Sequence, residues 1–422
     1  MLNRAIQPPI REIKSYDLPI PKKYTLDNGI PIYEVTMGTQ NILKLELMFF
    51  AGRWYEEKKL TSKIATSVLR EGTAKLRGAE IAERIDFLGG SISFGSNLDT
   101  SHITIYTLTK HLKNILPILE EILSAPAFPM DEIQSFILRS KEGLKVDLEK
   151  NDSVAYRQLT EMIYGADHPY GYNSTAELYN EIDRNDIIQH YQNNFVSENC
   201  LMMLAGKPDA ESISLINKYL GQVIRKGKSE RKKFALTPYP EQKWHLSKKD
   251  NVQRAVRIGK RLFDRHHADY QSFFILNTIL GGYFGSRLMQ NLREDKGYTY
   301  NIYSELDGML LDGYFFVGGD FKSDITNQAI KEIYSEFGRL REELIPAEEL
   351  DMVKNYLLGS LLTAVDGPFN AATVIKTTLA NNLPSNYYSQ LITTIRQITA
   401  NDLQKLAQRY LQDDSFYEVI VG

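Results

Sequence analysis

Residues 281–306 read GGYFGSRLMQNLREDKGYTYNIYSEL, and the fold of the whole chain is decided by how this stretch is divided. Leu280-Gly281-Gly282-Tyr283 ends one helical pattern. Ser286 stands where it can cap a second helix over 286–296, with Leu288, Met289 and Leu292 on one face at helical spacing. Gly297 breaks that helix. Residues 298–303 then alternate as a strand does, which assigns Tyr298, Tyr300 and Ile302 to one side and Thr299, Asn301 and Tyr303 to the other. A strand is expected over 298–305, with a partner over 313–319.

Outward from this stretch, a strand is expected at 256–262, a helix at 269–280, and amphipathic helices at 325–340 and 347–362. The first half shows the same succession. A central strand at 43–50 leads to helices at 61–70 and 79–88, the second stopped by Gly89-Gly90. Paired strands follow at 91–94 and 102–107, then an amphipathic helix at 112–123 closed by Pro126 and Pro129. FLGGSISF (87–94) and DKGYTYNI (295–302) occupy equivalent places at an offset of roughly two hundred residues, the mark of an internal duplication.

Upstream, residues 1–23 read as an extended, proline-punctuated lead-in, and 24–33 as a hairpin with Asn28-Gly29 at its turn. A long helix is expected from 131 to 164, a shorter one at 185–194, and a buried strand at 200–204. Residues 225–233, RKGKSERKK, hold six basic residues in nine without an interleaved aromatic, so they read as a solvated linker rather than a nucleic-acid patch. The domain boundary falls there, giving domains 1–230 and 231–422. The fold class is α+β: two related domains, each a mainly antiparallel sheet with helices packed on one face.

A length of 422 residues exceeds one ordinary core and suits two domains. Fifty basic against 53 acidic residues leave a net charge of −3, so no global field favours nucleic acid or an anionic membrane. The single cysteine, Cys200, excludes an internal disulfide and lies in a buried-strand composition. No apolar run has the length of a signal segment or of a membrane span, which places the chain in the cytoplasm as an expectation.

SRL followed by LRE, KG and a tyrosine, with Arg293 and Tyr300 seven positions apart, resembles the C-terminal half of the insulinase-like or pitrilysin-like zinc metallopeptidases, the inverzincins. LDNG at 26–29 resembles the start of their first domain, and the likeness covers nearly the whole chain. The resemblance implies a clamshell half whose two domains face a cavity. It also implies that Arg293 and Tyr300 reach the substrate carbonyl at a zinc site carried by another domain. A guanidinium and a phenol can both donate hydrogen bonds to an oxygen that becomes negative during peptide hydrolysis. Taken without the resemblance, Arg293 is a solvated helix arginine and Tyr300 a sheet aromatic.

The family's H-x-x-E-H is missing. Counting back from Gly72-Thr73 puts Lys63, Thr66 and Ser67 at its three positions, and the third family ligand falls at Leu144, with Glu142 the alternative register. Zinc hydrolases need about three nitrogen or carboxylate ligands and a carboxylate base. A lysine ammonium repels the cation instead. None of the seven histidines stands four positions from another. His168, in HPYG, reads as a packed, hydrogen-bonded imidazole, and His266-His267 with Asp264 and Asp269 as a solvated loop. Glu120-Glu121 and Glu342-Glu343 read as solvated helix faces, and no P-loop, G-x-S-x-G or G-x-G-x-x-G is present.

The expectation is a non-catalytic, substrate-binding subunit of a heterodimeric zinc peptidase. It has no metal or cofactor of its own, a homologous zinc-bearing partner, and a peptide substrate shared between the two. A stand-alone structural or peptide-binding pseudopeptidase is the alternative. A homodimeric peptidase with an unusual metal site is the weakest.

Overall fold

The computed structural model describes residues 18–248 and 251–422, so most of the expected lead-in, residues 1–17, lies outside the described residues. Six strands build the first sheet: β1 (Lys22–Thr25), β2 (Pro31–Thr36), β3 (Ile42–Phe49), β4 (Ser91–Ser96), β5 (Ser101–Leu108) and β6 (Cys200–Gly206), in the order β1-β2-β6-β3-β5-β4. Five build the second: β7 (Lys243–Leu246), β8 (Gln253–Arg261), β9 (Ile302–Gly308), β10 (Gly313–Lys322) and β11 (Tyr417–Val421), in the order β7-β11-β8-β10-β9. Apart from β1, the two orders superimpose. Each sheet has one parallel pair, β2 with β6 and β7 with β11, and is otherwise antiparallel. The duplication read from the sequence is therefore a duplication of topology.

The helices of the first half are α1 (Thr61–Val68), α2 (Gly78–Phe87), α3 (Leu112–Ser124), α4 (Met130–Glu149), α5 (Asn151–Tyr164), α6 (Ala176–Asn180), α7 (Arg184–Asn194) and α8 (Ser212–Leu220). Those of the second are α9 (Tyr270–Gly281), α10 (Thr326–Glu342), α11 (Ala347–Thr363), α12 (Gly367–Ala380), α13 (Tyr387–Gln397) and α14 (Ala400–Tyr410). The single helix expected over 131–164 is two helices. Lys150 between them is extended at φ −79°, ψ 121°, and the run Asn151-Asp152-Ser153 that follows favours a helix start over a helix interior.

Period-two alternation explains the layers. On β3, Leu43, Leu45, Leu47 and Phe49 face a core shared with α1, α2, α3, α7 and α8. Met48, with Leu201 and Met203 of β6, faces the opposite way onto Ala371, Ala372 and Ile375 of α12. The second sheet mirrors this. Val256, Ile258, Phe315 and Val317 face α9, α10, α11 and α14, whereas Ala255, Tyr314, Phe316 and Val419 meet Ala155, Leu159 and Met162 of α5. Each sheet thus keeps its own helices on one face and receives one helix of the other half on its second face.

An ionic cluster clasps α12 to the first sheet. Glu46, buried on the α12 side of β3, lies 2.9 Å from Lys44 Nζ and 3.2 Å from His102 Nδ1, and it pairs with Lys376 of α12. Burial alone would raise the Glu46 carboxyl. His102, Lys376 and Lys44 outweigh it and hold the group well below the usual carboxylate range. Cys200 is buried in β6, where desolvation pushes its thiol up, which is the behaviour of a core residue.

Candidate functional site

The two regions that the sequence singles out both lie between the central strand and the paired strands of their halves, but on different helices of the repeat, the first helix in one half and the second in the other, and they are built differently. In the first half, α1 carries Lys63, Thr66 and Ser67. The Lys63 ammonium donates to the Tyr179 hydroxyl at 3.0 Å. Thr66 is fully buried; its hydroxyl donates to the Ser62 carbonyl at 2.8 Å, and a 2.7 Å hydrogen bond joins it to Ser101. Ser67 is half-buried, and Leu144 of α4 belongs to the apolar core. A cation, two hydroxyls and a hydrocarbon do not fit zinc, which needs deprotonated nitrogen, sulfur or carboxylate donors. Among the described residues, no group of three or more His, Cys, Asp or Glu is placed to hold a metal ion.

In the second half, Arg293 and Tyr300 come together. The chain from Met289 to Asp295 winds as a π-helix, with Lys296 N–H donating to the Asn291 carbonyl at 3.1 Å across five residues. Leu288, Met289 and Leu292 are buried on its inner face, as their spacing requires. Ser286 does not cap it: its hydroxyl is buried without a hydrogen-bond partner. Gly297, at φ +63°, turns the chain out of the segment.

The expected strand start at Tyr298 is displaced to Ile302. Thr299 is the reason. Its hydroxyl donates to the Asp320 carbonyl at 2.7 Å and lies 2.9 Å from the Asn301 carbonyl, so a side chain takes over where the backbone ladder would have continued. Residues 298–301 are left as an irregular segment at the mouth of β9, the edge strand of the second sheet.

Freed from the ladder, Tyr300 is 84% exposed, and the Arg293 guanidinium lies 4.9 Å from its ring centroid. A second ring, Phe284, lies 4.7 Å from the same guanidinium and is itself 64% exposed. Arg293 Nε lies 3.4 Å from Glu294, an outward-facing pair on the same turn. A ring attracts the cation through its π-face and not through hydrogen bonds, so the two contacts restrain the guanidinium without consuming its N–H donors. The sequence reading missed two features here: the π-winding, which periodicity does not announce, and Phe284. An aromatic set between Gly282 and Gly285 was the available signal for the second.

The remaining candidates are structural. His168 stacks on Tyr164 at 5.2 Å, meets Trp54 edge-on, and accepts from Tyr170 N–H at 3.2 Å. Burial, aided by Arg261, lowers its pKa to about 4. His190 lies 3.1 Å from the Ala51 carbonyl through Nε2 and is likewise lowered by burial to about 4. His266 meets the Asn381 carbonyl at 2.7 Å, and His267 stacks on Phe263 at 4.3 Å. Glu121, read as solvated, is half-buried and accepts from Thr73 at 2.7 Å. Residues 225–233 cross the first half without regular structure, held by Ser229 to Asn199 and by Lys232 N–H to the Trp54 carbonyl at 3.0 Å. Among the described residues, no helix is long and apolar enough to cross a membrane.

Residues 181–357 match the family described as Peptidase M16 inactive domain. The chain is 23% identical over 353 residues to the Bacillus subtilis protein named uncharacterized zinc protease YmxG, covering 82% of this chain and 84% of that one. It is 23% identical over 363 residues to the Helicobacter pylori protein named non-peptidase homolog YmxG, covering 83% and 80%. Its fold is similar to the crystal structure of a peptidase M16 inactive domain from Pseudomonas fluorescens, with a TM-score of 0.88, 21% identity, and coverage of 95% of this chain and 98% of that one.

Proposed function

We propose a function from the premise that this chain belongs to the insulinase-like peptidase M16 family as a homologue without the zinc motif. It acts as the substrate-binding subunit of a two-chain peptidase. A homologous partner carrying H-x-x-E-H supplies the zinc and the carboxylate base. This chain closes the cavity over an extended peptide and points Arg293 and Tyr300 at the scissile carbonyl, where their N–H and O–H donors meet the oxygen as it becomes negative.

The observation that carries the reading is the contrast in chemical availability. Thr66 and Leu144 are buried, Lys63 reaches the Tyr179 hydroxyl and none of the first-half positions offers a zinc ligand, while Arg293 and Tyr300 meet at an exposed sheet edge. Because metal and donors lie on different chains, activity requires the complex.

The test is peptidase activity on a quenched peptide library, with this chain alone, the zinc-motif homologue alone, and the two mixed, recording zinc content. The expected result is turnover in the mixture only, with zinc confined to the homologue. Turnover and stoichiometric zinc in this chain alone would overturn the reading. The name of the Helicobacter pylori relative, a non-peptidase homologue, favours a second reading, a structural or peptide-binding pseudopeptidase, which predicts silence in all three samples.

A further inference from the structure

We infer that Phe284 is a positioning residue for Arg293, holding its guanidinium in the plane from which it meets a substrate carbonyl; the inference rests on the reading above. Arg293 sits on an outward turn beside an irregular segment, with its side chain 26% exposed. A free arginine there samples many rotamers, and ordering it at each catalytic encounter would work against transition-state stabilisation. Tyr300 alone is a poor clamp, because the structure leaves it 84% exposed on a segment without ladder bonds.

Phe284 is better anchored. It lies in the turn between α9 and the π-helix, where neighbouring Tyr283 stacks on Tyr356 of α11 at 4.8 Å and Ser286 N–H donates to the Tyr283 carbonyl at 3.1 Å. Arg287, three residues on, forms a two-toothed pair with Glu349 at 2.8 Å on each side. The turn is thus tied to α11 from two points, and its aromatic tip is presented to the guanidinium at 4.7 Å. A phenyl ring left 64% exposed carries a solvation cost that the core does not require, and the cation–π contact with Arg293 makes use of it.

The experiment compares Phe284→Ala, Phe284→Leu and Phe284→Tyr with Arg293→Ala in the reconstituted two-chain peptidase, reading kcat and KM separately. It also records the ring-current displacement of the Arg293 side-chain resonances in this chain alone. Phe284→Ala and Phe284→Leu are expected to lower kcat about threefold to fivefold with KM and thermal midpoint unchanged, as suits an exposed cation–π contact. Phe284→Tyr restores kcat, and Phe284→Ala adds nothing in the Arg293→Ala background. Both non-aromatic variants lose part of the ring-current shift.

Full kcat in Phe284→Leu alongside a crippled Arg293→Ala would overturn the positioning role and leave the two-chain reading standing. Full activity in Arg293→Ala would overturn that reading itself, and with it the role assigned to Phe284.

Discussion

The two halves have the same strand order, yet the two helices between the central strand and the paired strands are used differently in each. In the first, α1 is a mostly buried helix whose Thr66 bonds to Ser62 and Ser101 and whose exposed Lys63 donates to Tyr179. In the second, the first helix after the central strand is α9, and the next one, where the first half has α2, is wound as a π-helix whose Arg293 guanidinium lies 4.7 Å from Phe284 and 4.9 Å from Tyr300, with Tyr300 84% exposed. π-turns cost hydrogen-bond geometry and concentrate at functional sites. The comparison teaches that a duplicated scaffold can close polar groups onto each other on one helix of one copy while a different helix of the other copy leaves its polar groups open.

The largest expected effect tests the closed half. Thr66→Glu puts a carboxylate at a fully buried site whose neighbours are hydroxyls and a carbonyl. An unpaired buried charge of this kind costs roughly 3 kcal/mol or more, and urea unfolding should report it. An unchanged midpoint would mean that the region can still open to water, and the contrast between the halves would fail.

Next in size is Arg293→Ala. In the mixed peptidase it should lower kcat/KM about a hundredfold, comparable to loss of one oxyanion donor, while the urea midpoint of this chain stays within about 0.5 kcal/mol. Stability lost without a change in turnover would reverse the assignment and make the second half the structural one.

The contrast was partly legible beforehand. Periodicity and the glycine stops located most strands and helices of both halves up to residue 363, because those elements bury one face each and their patterns are local; the short α6, α8 and β7 were not legible, and α4 and α5 read as one helix. The exchange of α5 and α12 between the sheets was not legible. The apolar run of β3 contains Lys44 and Glu46, and the cation that completes their cluster, Lys376, lies 330 residues away. For the site, the absence of H-x-x-E-H was plain from residue types alone, and the resemblance pointed to Arg293 and Tyr300, which the fold brings to 4.9 Å. The irregular path that exposes Tyr300 was hidden, since Thr299 breaks the ladder through a side chain that alternation treats as an ordinary strand residue.

The closed character of the first half also sets a pH response. His168 and His190 are both buried there, whereas His245, His266 and His267 of the second half are exposed at the surface. A folded pKa of about 4 against about 6.5 unfolded means that the unfolded chain binds these protons first. The stability they confer is full above pH 6.5 and is lost as pH falls toward 4. At pH 5 each histidine should account for roughly 2 kcal/mol of lost stability. Glu56 and Asp99, raised mainly by burial, respond with the opposite sign as the pH falls, so the comparison must be made by difference. Unfolding of His168→Gln and His190→Gln between pH 7 and pH 5 should each lack its share, and a slope equal to wild type in both would show that neither imidazole is held neutral.

The smallest effect sharpens the comparison most, because it deletes one oxygen from each half. Tyr300→Phe keeps the ring that lies 4.9 Å from Arg293 and removes only the phenol O–H. If that donor meets the developing oxyanion, kcat falls about tenfold with KM and folding unchanged, since the loss is confined to the transition state. Tyr179→Phe is its counterpart: it removes the acceptor of the Lys63 ammonium, 3.0 Å away, and should cost about 1 kcal/mol of stability with no effect on turnover. The pair separates a hydroxyl kept for a substrate from a hydroxyl kept for its own fold. Equal turnover in both variants would reduce Tyr300 to a stacking ring, and Arg293 would then carry the carbonyl alone.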